Sequence, residues 1–161
     1  MYKKKVLFVC LGNICRSPAA EAILRKYLSD ENLQENIYVD SAGTAGYHVG
    51  EPPDPRMIGY AAKRGFIVDH ITRKFNPAKD FTKFDYIITM DNEIFNDVKS
   101  HDNLNKFSHK LFRMVDFCNN IKIDQVPDPY YEGEEGFNSV LDILEDGCKG
   151  IIEKLKNENH L

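Results

Sequence analysis

Between Val6 and Pro18 an apolar, β-branched run ends at Cys10, five residues follow (Leu11-Gly12-Asn13-Ile14-Cys15), and Arg16 and Ser17 come next. These types at this spacing suit attack on a phosphoryl group. A short loop between a strand and a helix turns its backbone N–H groups inward and sets the positive end of the helix dipole behind them. Such a site favours anions, and a cysteine within it is expected to react as its thiolate. Arg16 adds a planar fork that grips two phosphoryl oxygens. The pattern is a nucleophile inside an oxyanion cradle.

Other phosphate-binding loops fit less well. A nucleotide-binding loop needs a second glycine followed by Lys and Ser/Thr, and a dinucleotide fingerprint needs three spaced glycines. This loop has Gly12 alone and no lysine. Ser17 and Pro18 read as the N-cap and first residue of a helix, with the Ser17 hydroxyl also able to donate to the Cys10 sulfur. Asn13, if it lies mid-loop in a left-handed conformation, reads as structural, pinning the loop through its side chain. Cys15 reads either as a small residue filling loop space or as a redox partner that traps oxidised Cys10 as a reversible disulfide. An ester leaving group also needs an acid. Among 25 Asp and Glu residues, Asp128 in Val126-Pro127-Asp128-Pro129-Tyr130-Tyr131 is a candidate. Flanking prolines stiffen its loop and remove backbone donors, although an ordinary turn aspartate would look the same.

The elements that must hold these residues alternate along the chain, the pattern of a parallel sheet covered by helices. Strands are expected at about Lys4–Cys10, Ile37–Asp40, Asp85–Met90 and Lys110–Met114. Helices are expected from Ser17, from Asp54-Pro55 to a stop at Gly65, over Asp91–Ser100, and from Phe137 to about Lys156. Helix 1 should face inward through Ile23, Leu24, Tyr27 and Leu28. Gly147 and Gly150 in the last helix are expected to mark close packing on the sheet. Ligands in such folds bind at the carboxyl ends of strands, where Cys10 falls.

With 161 residues, 42% of them hydrophobic, the chain suffices for one domain. A net charge of −4 argues against nucleic acid as a partner. Lys3-Lys4-Lys5 precede too short an apolar run for a signal peptide, and no stretch approaches a membrane span. Four cysteines (Cys10, Cys15, Cys118, Cys148) read as free thiols of a reducing, cytoplasmic setting. The histidines show no metal-site spacing.

Three segments, Cys10 to Pro18, Asp40-Ser41-Ala42-Gly43-Thr44 and Asp128-Pro129-Tyr130, closely resemble the low-molecular-weight protein tyrosine phosphatases. The resemblance spans essentially the whole chain. It implies an α/β fold, a single three-layer domain over residues 1–161 with a four-stranded parallel sheet flanked by helices and the phosphate-binding loop after strand 1. It implies a two-step reaction without cofactor or metal. Cys10 would take the phosphoryl group, Arg16 and the amides of residues 11–17 would bind its oxygens, and Asp128 would protonate the leaving phenol and then deprotonate the attacking water. Asn13, Ser17, Ser41 and His70 would hold the loop, and Asp91 would orient Arg16. Leu11, Ile14, Tyr47, His48, Tyr130 and Tyr131 would form the substrate rim. Substrates would be phosphotyrosine proteins or peptides and aryl phosphates, and phosphate-like oxyanions would inhibit.

Rival readings are an arsenate reductase, a small-molecule acid phosphatase or protein arginine phosphatase on the same fold, and a non-catalytic phosphate-binding module. A reductase needs two more cysteines close together, and Cys118 and Cys148 are thirty residues apart in the chain. Glu132, Glu134 and Glu135 near the entrance should disfavour very acidic substrates. Tyr130 and Tyr131 read as aromatic walls, with phosphorylation of either the second reading.

Overall fold

In the computed structural model, which describes residues 1–161, β1 (Lys4–Cys10) runs through the middle of the molecule. Val6 to Val9 are fully buried because helices cover both faces of the sheet. β2 (Ile37–Gly43) lies on one side of β1, and β3 (Tyr86–Thr89) with β4 (Leu111–Arg113) on the other. All pairings are parallel, in the order β2-β1-β3-β4. This is the α/β architecture expected from the alternation of elements.

Alternate residues of β1 divide the core. Val6, Phe8 and Cys10 face the larger cluster, with α1 (Arg16–Asp30), α2 (Pro55–Lys63) and α5 (Glu134–Asn159). Leu7 and Val9 face the smaller one, with α3 (Pro77–Lys83) and α4 (Asn92–Ser100). Cys10 pairs in register with Gly43 at the carboxyl end of the sheet, so the chain leaves β1 at the edge where α1 begins. No helix is long and apolar enough to cross a membrane.

Several boundaries differ from the sequence reading. α1 starts at Arg16 with Cys15 at its N-cap, and no side chain caps it. Ser17 is therefore inside the first turn, not at the cap, and its hydroxyl is committed elsewhere. β2 continues to Gly43, three residues past Asp40. Asn76-Pro77 repeats the Asp54-Pro55 signal and starts α3, a short helix the sequence reading missed. α5 begins at Glu134, before Phe137, where Glu134 and Glu135 complement the helix dipole. Tyr27 is only half-buried, its hydroxyl donating to Glu145 at 3.1 Å.

Gly147 and Gly150 do mark close packing, but against the 3₁₀ turn Met114–Phe117 rather than the sheet. A Cβ on Gly150 would fall 2.0 Å from the Phe117 carbonyl oxygen, and one on Gly147 2.5 Å from the mobile end of Met114. Rigid backbone cannot yield as a side chain can. Gly150→Ala should cost about 1–3 kcal/mol in urea unfolding despite the better helix propensity of alanine. Gly147→Ala should cost less, and the reverse order would contradict this packing.

Candidate active site

The loop after β1 is shaped by what its carbonyls and side chains bind. The Cys10 and Leu11 carbonyls accept from the N–H groups of Thr44 and Ala45, both at 2.9 Å, and the Ile14 carbonyl accepts from the Asp54 N–H at 2.9 Å. With carbonyls tied outward to the scaffold, none of the N–H groups of Leu11 to Cys15 donates to a protein acceptor. They form a concave set of donors at the N-terminus of α1. Gly43 permits the fit, since a Cβ there would stand 2.7 Å from the Leu11 oxygen and 3.0 Å from the Asn13 nitrogen.

Asn13 is the pivot of the loop. Its φ is 59°, the left-handed region, and it is buried. Its Nδ2 donates to the Ser17 hydroxyl at 2.8 Å and the Ser41 hydroxyl at 3.0 Å. Its Oδ1 accepts from the Arg73 backbone N–H at 3.0 Å and meets His70 Nε2 at 2.7 Å. Ser17 Oγ in turn lies 3.0 Å from Cys10 Sγ. Behind them Ser41 donates to Glu21 at 2.8 Å, and His70 Nδ1 faces Glu21 at 3.2 Å and Asp40 at 3.7 Å.

Arg16 lies on the floor of the site, 3% exposed, its Nη1 donating to Asp91 at 2.8 Å and to the Val126 carbonyl at 3.0 Å. Asp91 also caps α4, accepting from the Ile94 N–H at 2.8 Å. Burial disfavours the charge on Arg16, but the neighbouring Cys10, Asp91 and Asp128 more than offset it and raise its pKa. Asp128 stands at the mouth, 45% exposed, with its Oδ2 3.7 Å from Arg16 Nη2. Burial, reinforced by Asp54, Cys10 and Asp128, pushes the Cys15 thiol far above its usual range. Cys15 therefore stays protonated beside Cys10.

The cleft over this floor is walled by Leu11, Gly12, Ile14, Tyr47, His48, Tyr130 and Tyr131, with Cys10, Cys15, Arg16 and Asp128 also lining it. The candidate residues named from the sequence thus converge on one cleft and on the layer behind it. Three members of that layer, Glu21, Asp40 and Arg73, were missed as site residues. The available signal was Glu21 itself, an acid on the Ala19-Ala20-Ala22 side of α1 that ends 1% exposed. Glu21, Asp40 and His70 bring ligating atoms within 4.8 Å of one another. Each already has protein partners, however: Arg25 and Ser41 on Glu21, Arg73 on Asp40, and Asn13 on His70.

Burial, only partly relieved by Arg25 and Ser41, raises the Glu21 pKa from 4.5 to about 7, and burial lowers that of His70. A carboxyl whose folded pKa exceeds its unfolded value stabilises the fold most when protonated. The Glu21 contribution is thus present below about pH 4.5 and lost as pH rises to about 7. Glu21→Gln should gain stability relative to the wild type across that window, by up to about 3 kcal/mol. Urea unfolding of both proteins at several pH values would show it, and parallel pH profiles would contradict it.

Comparisons with known proteins place the chain in a family. Residues 5–161 match the family model described as low molecular weight phosphotyrosine protein phosphatase. A protein tyrosine phosphatase of Entamoeba histolytica, solved with Hepes in its active site, superposes with a TM-score of 0.93 at 48% identity, covering 97% of this chain and 99% of that one. A Synechocystis protein named for the same family is 44% identical over 154 residues, 96% of this chain and 98% of that protein. The human low molecular weight phosphotyrosine protein phosphatase is 39% identical over 151 residues, covering 94% and 95% of the two chains. The chain belongs to the low-molecular-weight phosphotyrosine protein phosphatase family.

Proposed function

We propose that this protein hydrolyses phosphotyrosine in proteins or peptides, and aryl phosphates, through a phosphocysteine intermediate. The observation that carries the reading is the grouping of Cys10, Arg16 and Asp128 around one cradle of unpartnered amides. Cys10 Sγ attacks phosphorus as the aryl–oxygen bond breaks. Arg16 and the amides of residues 11–17 hold the equatorial oxygens, where charge concentrates in the transition state. Asp128 gives its proton to the departing phenoxide, then accepts one from the water that cleaves the S–P bond, releasing phosphate and free Cys10. Ser17, 3.0 Å from the sulfur, supports it as nucleophile and as leaving group. Asn13, Ser41 and His70 keep the loop in shape, and Asp91 orients Arg16.

Leu11, Ile14, Tyr47, His48, Tyr130 and Tyr131 supply a mostly apolar wall suited to a phenyl ring. The reaction as drawn needs no metal or cofactor, acts within one unit over residues 1–161, and belongs in the cytoplasm. Phosphate-like oxyanions compete for the cradle. Reversible oxidation would run through a Cys10–Cys15 disulfide. An arsenate-reductase relay has little support. Cys148 is wholly buried against the Ala20 carbonyl, and Cys118, its thiol pushed up to about 11 mainly by burial, packs near the Ile143 carbonyl.

Cys10→Ser should abolish turnover of p-nitrophenyl phosphate while retaining phosphate or vanadate binding, and residual turnover in that variant would remove Cys10 from the mechanism. Asp128→Ala should slow hydrolysis of an ester with a poor leaving group by about 10²–10⁴, and near-normal rates would place the acid elsewhere. Iodoacetate should inactivate the wild type unless phosphate is present. A non-catalytic phosphate-binding module would show neither turnover nor that protection.

A further inference from the structure

Arg56, in the first turn of α2, is 44% exposed and does not line the cleft. It would pass for a surface arginine but for what it touches. Its guanidinium forks onto Asp54, with Nε to Oδ1 at 3.1 Å and Nη2 to Oδ2 at 2.8 Å. Asp54 is 7% exposed, and its own N–H holds the Ile14 carbonyl of the phosphate loop at 2.9 Å. The guanidinium carbon also lies 5.2 Å from the Tyr130 ring centre and 4.8 Å from that of Phe137. Both rings belong to the segment that carries Asp128. Tyr130 closes a turn on that aspartate, its N–H donating to Asp128 Oδ1 at 3.1 Å. Phe137 is fully buried in the first turn of α5, where the segment ends.

We infer that Arg56 is a positioning residue for Asp128, joining the segment that carries it to the loop that carries Cys10. The inference rests on the reading of Asp128 as the acid. The other end of that segment is fixed where the Val126 N–H meets the Met90 carbonyl at 2.9 Å. Between Val126 and the start of α5 at Glu134 the chain forms no strand or helix, and Tyr131 in its turn is 94% exposed. Arg56 contacts the segment on both flanks of its exposed turn through a planar cation held by Asp54. A lysine keeps the charge opposite Asp54 but cannot fork to both oxygens while stacking on two rings.

The test is kcat/KM across aryl phosphates from p-nitrophenyl phosphate to phenyl phosphate, for wild type, Arg56→Lys, Arg56→Ala and Asp128→Asn, and for the double variant Arg56→Lys/Asp128→Asn. A misplaced acid hurts poor leaving groups most. Arg56→Lys, which keeps the charge at Asp54 and hence the fold, should lose less than about twofold on p-nitrophenyl phosphate and roughly 3–30-fold on phenyl phosphate. Arg56→Ala should lose at least as much. Inhibition by inorganic phosphate should stay within about twofold, because the cradle is intact. In the Asp128→Asn background, Arg56→Lys should add nothing. An equal loss on every substrate, or a full additional loss in that background, would overturn the positioning role. So would a flat response in the Arg56 variants beside a steep one in Asp128→Asn. A flat response in Asp128→Asn itself would remove the acid, a failure visible without any Arg56 variant.

Discussion

The site depends on one buried carboxamide. Asn13 holds a backbone conformation that costs an ordinary L-residue roughly 1–2 kcal/mol. Its side chain uses every donor and acceptor it has, on Ser17, Ser41, His70 and Arg73. At about 0.5–1.5 kcal/mol net each, four such bonds more than offset the backbone strain. The left-handed turn at Asn13 bends the loop into a cup, and the ties from Thr44, Ala45 and Asp54 to its carbonyls leave the amides facing the same way. Without ligand, those amides would crowd like dipoles together. The scaffold has to enforce that arrangement before any anion arrives, and preorganisation of this kind is what makes an oxyanion site effective.

That requirement explains the charged layer beneath the loop. Glu21, Asp40, His70 and Arg73 lie between α1, β2 and the segment leading to α3, where a purely apolar filling would leave the Asn13 and Ser41 polar groups unpartnered. Burial raises one carboxyl and lowers the histidine, the directions expected for groups that avoid charge rather than seek it. The two loop cysteines also differ in their surroundings. Cys10 sits beside the Ser17 hydroxyl and the Arg16 guanidinium, whereas burial keeps Cys15 a thiol.

Much of this was legible in the sequence because the signals were local. The strand ending at Cys10, the spacing to Arg16 and the Asp54-Pro55 cap each depend on a few neighbouring residues. Ser17 shows the limit. As a type it is a good N-cap, yet the helix begins two residues earlier, with Cys15 at its cap, and the Ser17 hydroxyl goes to the Cys10 sulfur. Asn76-Pro77 carried the same cap signal as Asp54-Pro55 but opened a helix of only seven residues, too short for periodicity to register. Glu21 and Arg73 were illegible because their partners come from elements far apart in the chain, and only the parallel pairing of β1 with β2 brings them under one loop. Gly147 and Gly150 announced a close approach without saying to what, and the partner was the turn after β4.

The most direct measurement is acid-quenched mass spectrometry of the protein during turnover of an aryl phosphate, followed by peptide mapping. A gain of one phosphoryl group confined to the peptide containing Cys10, which disappears when substrate is exhausted, is the result expected for a sulfur nucleophile held in this cradle. Turnover with no phosphorylated protein at any quench time, or with the phosphoryl group on another residue, would contradict it.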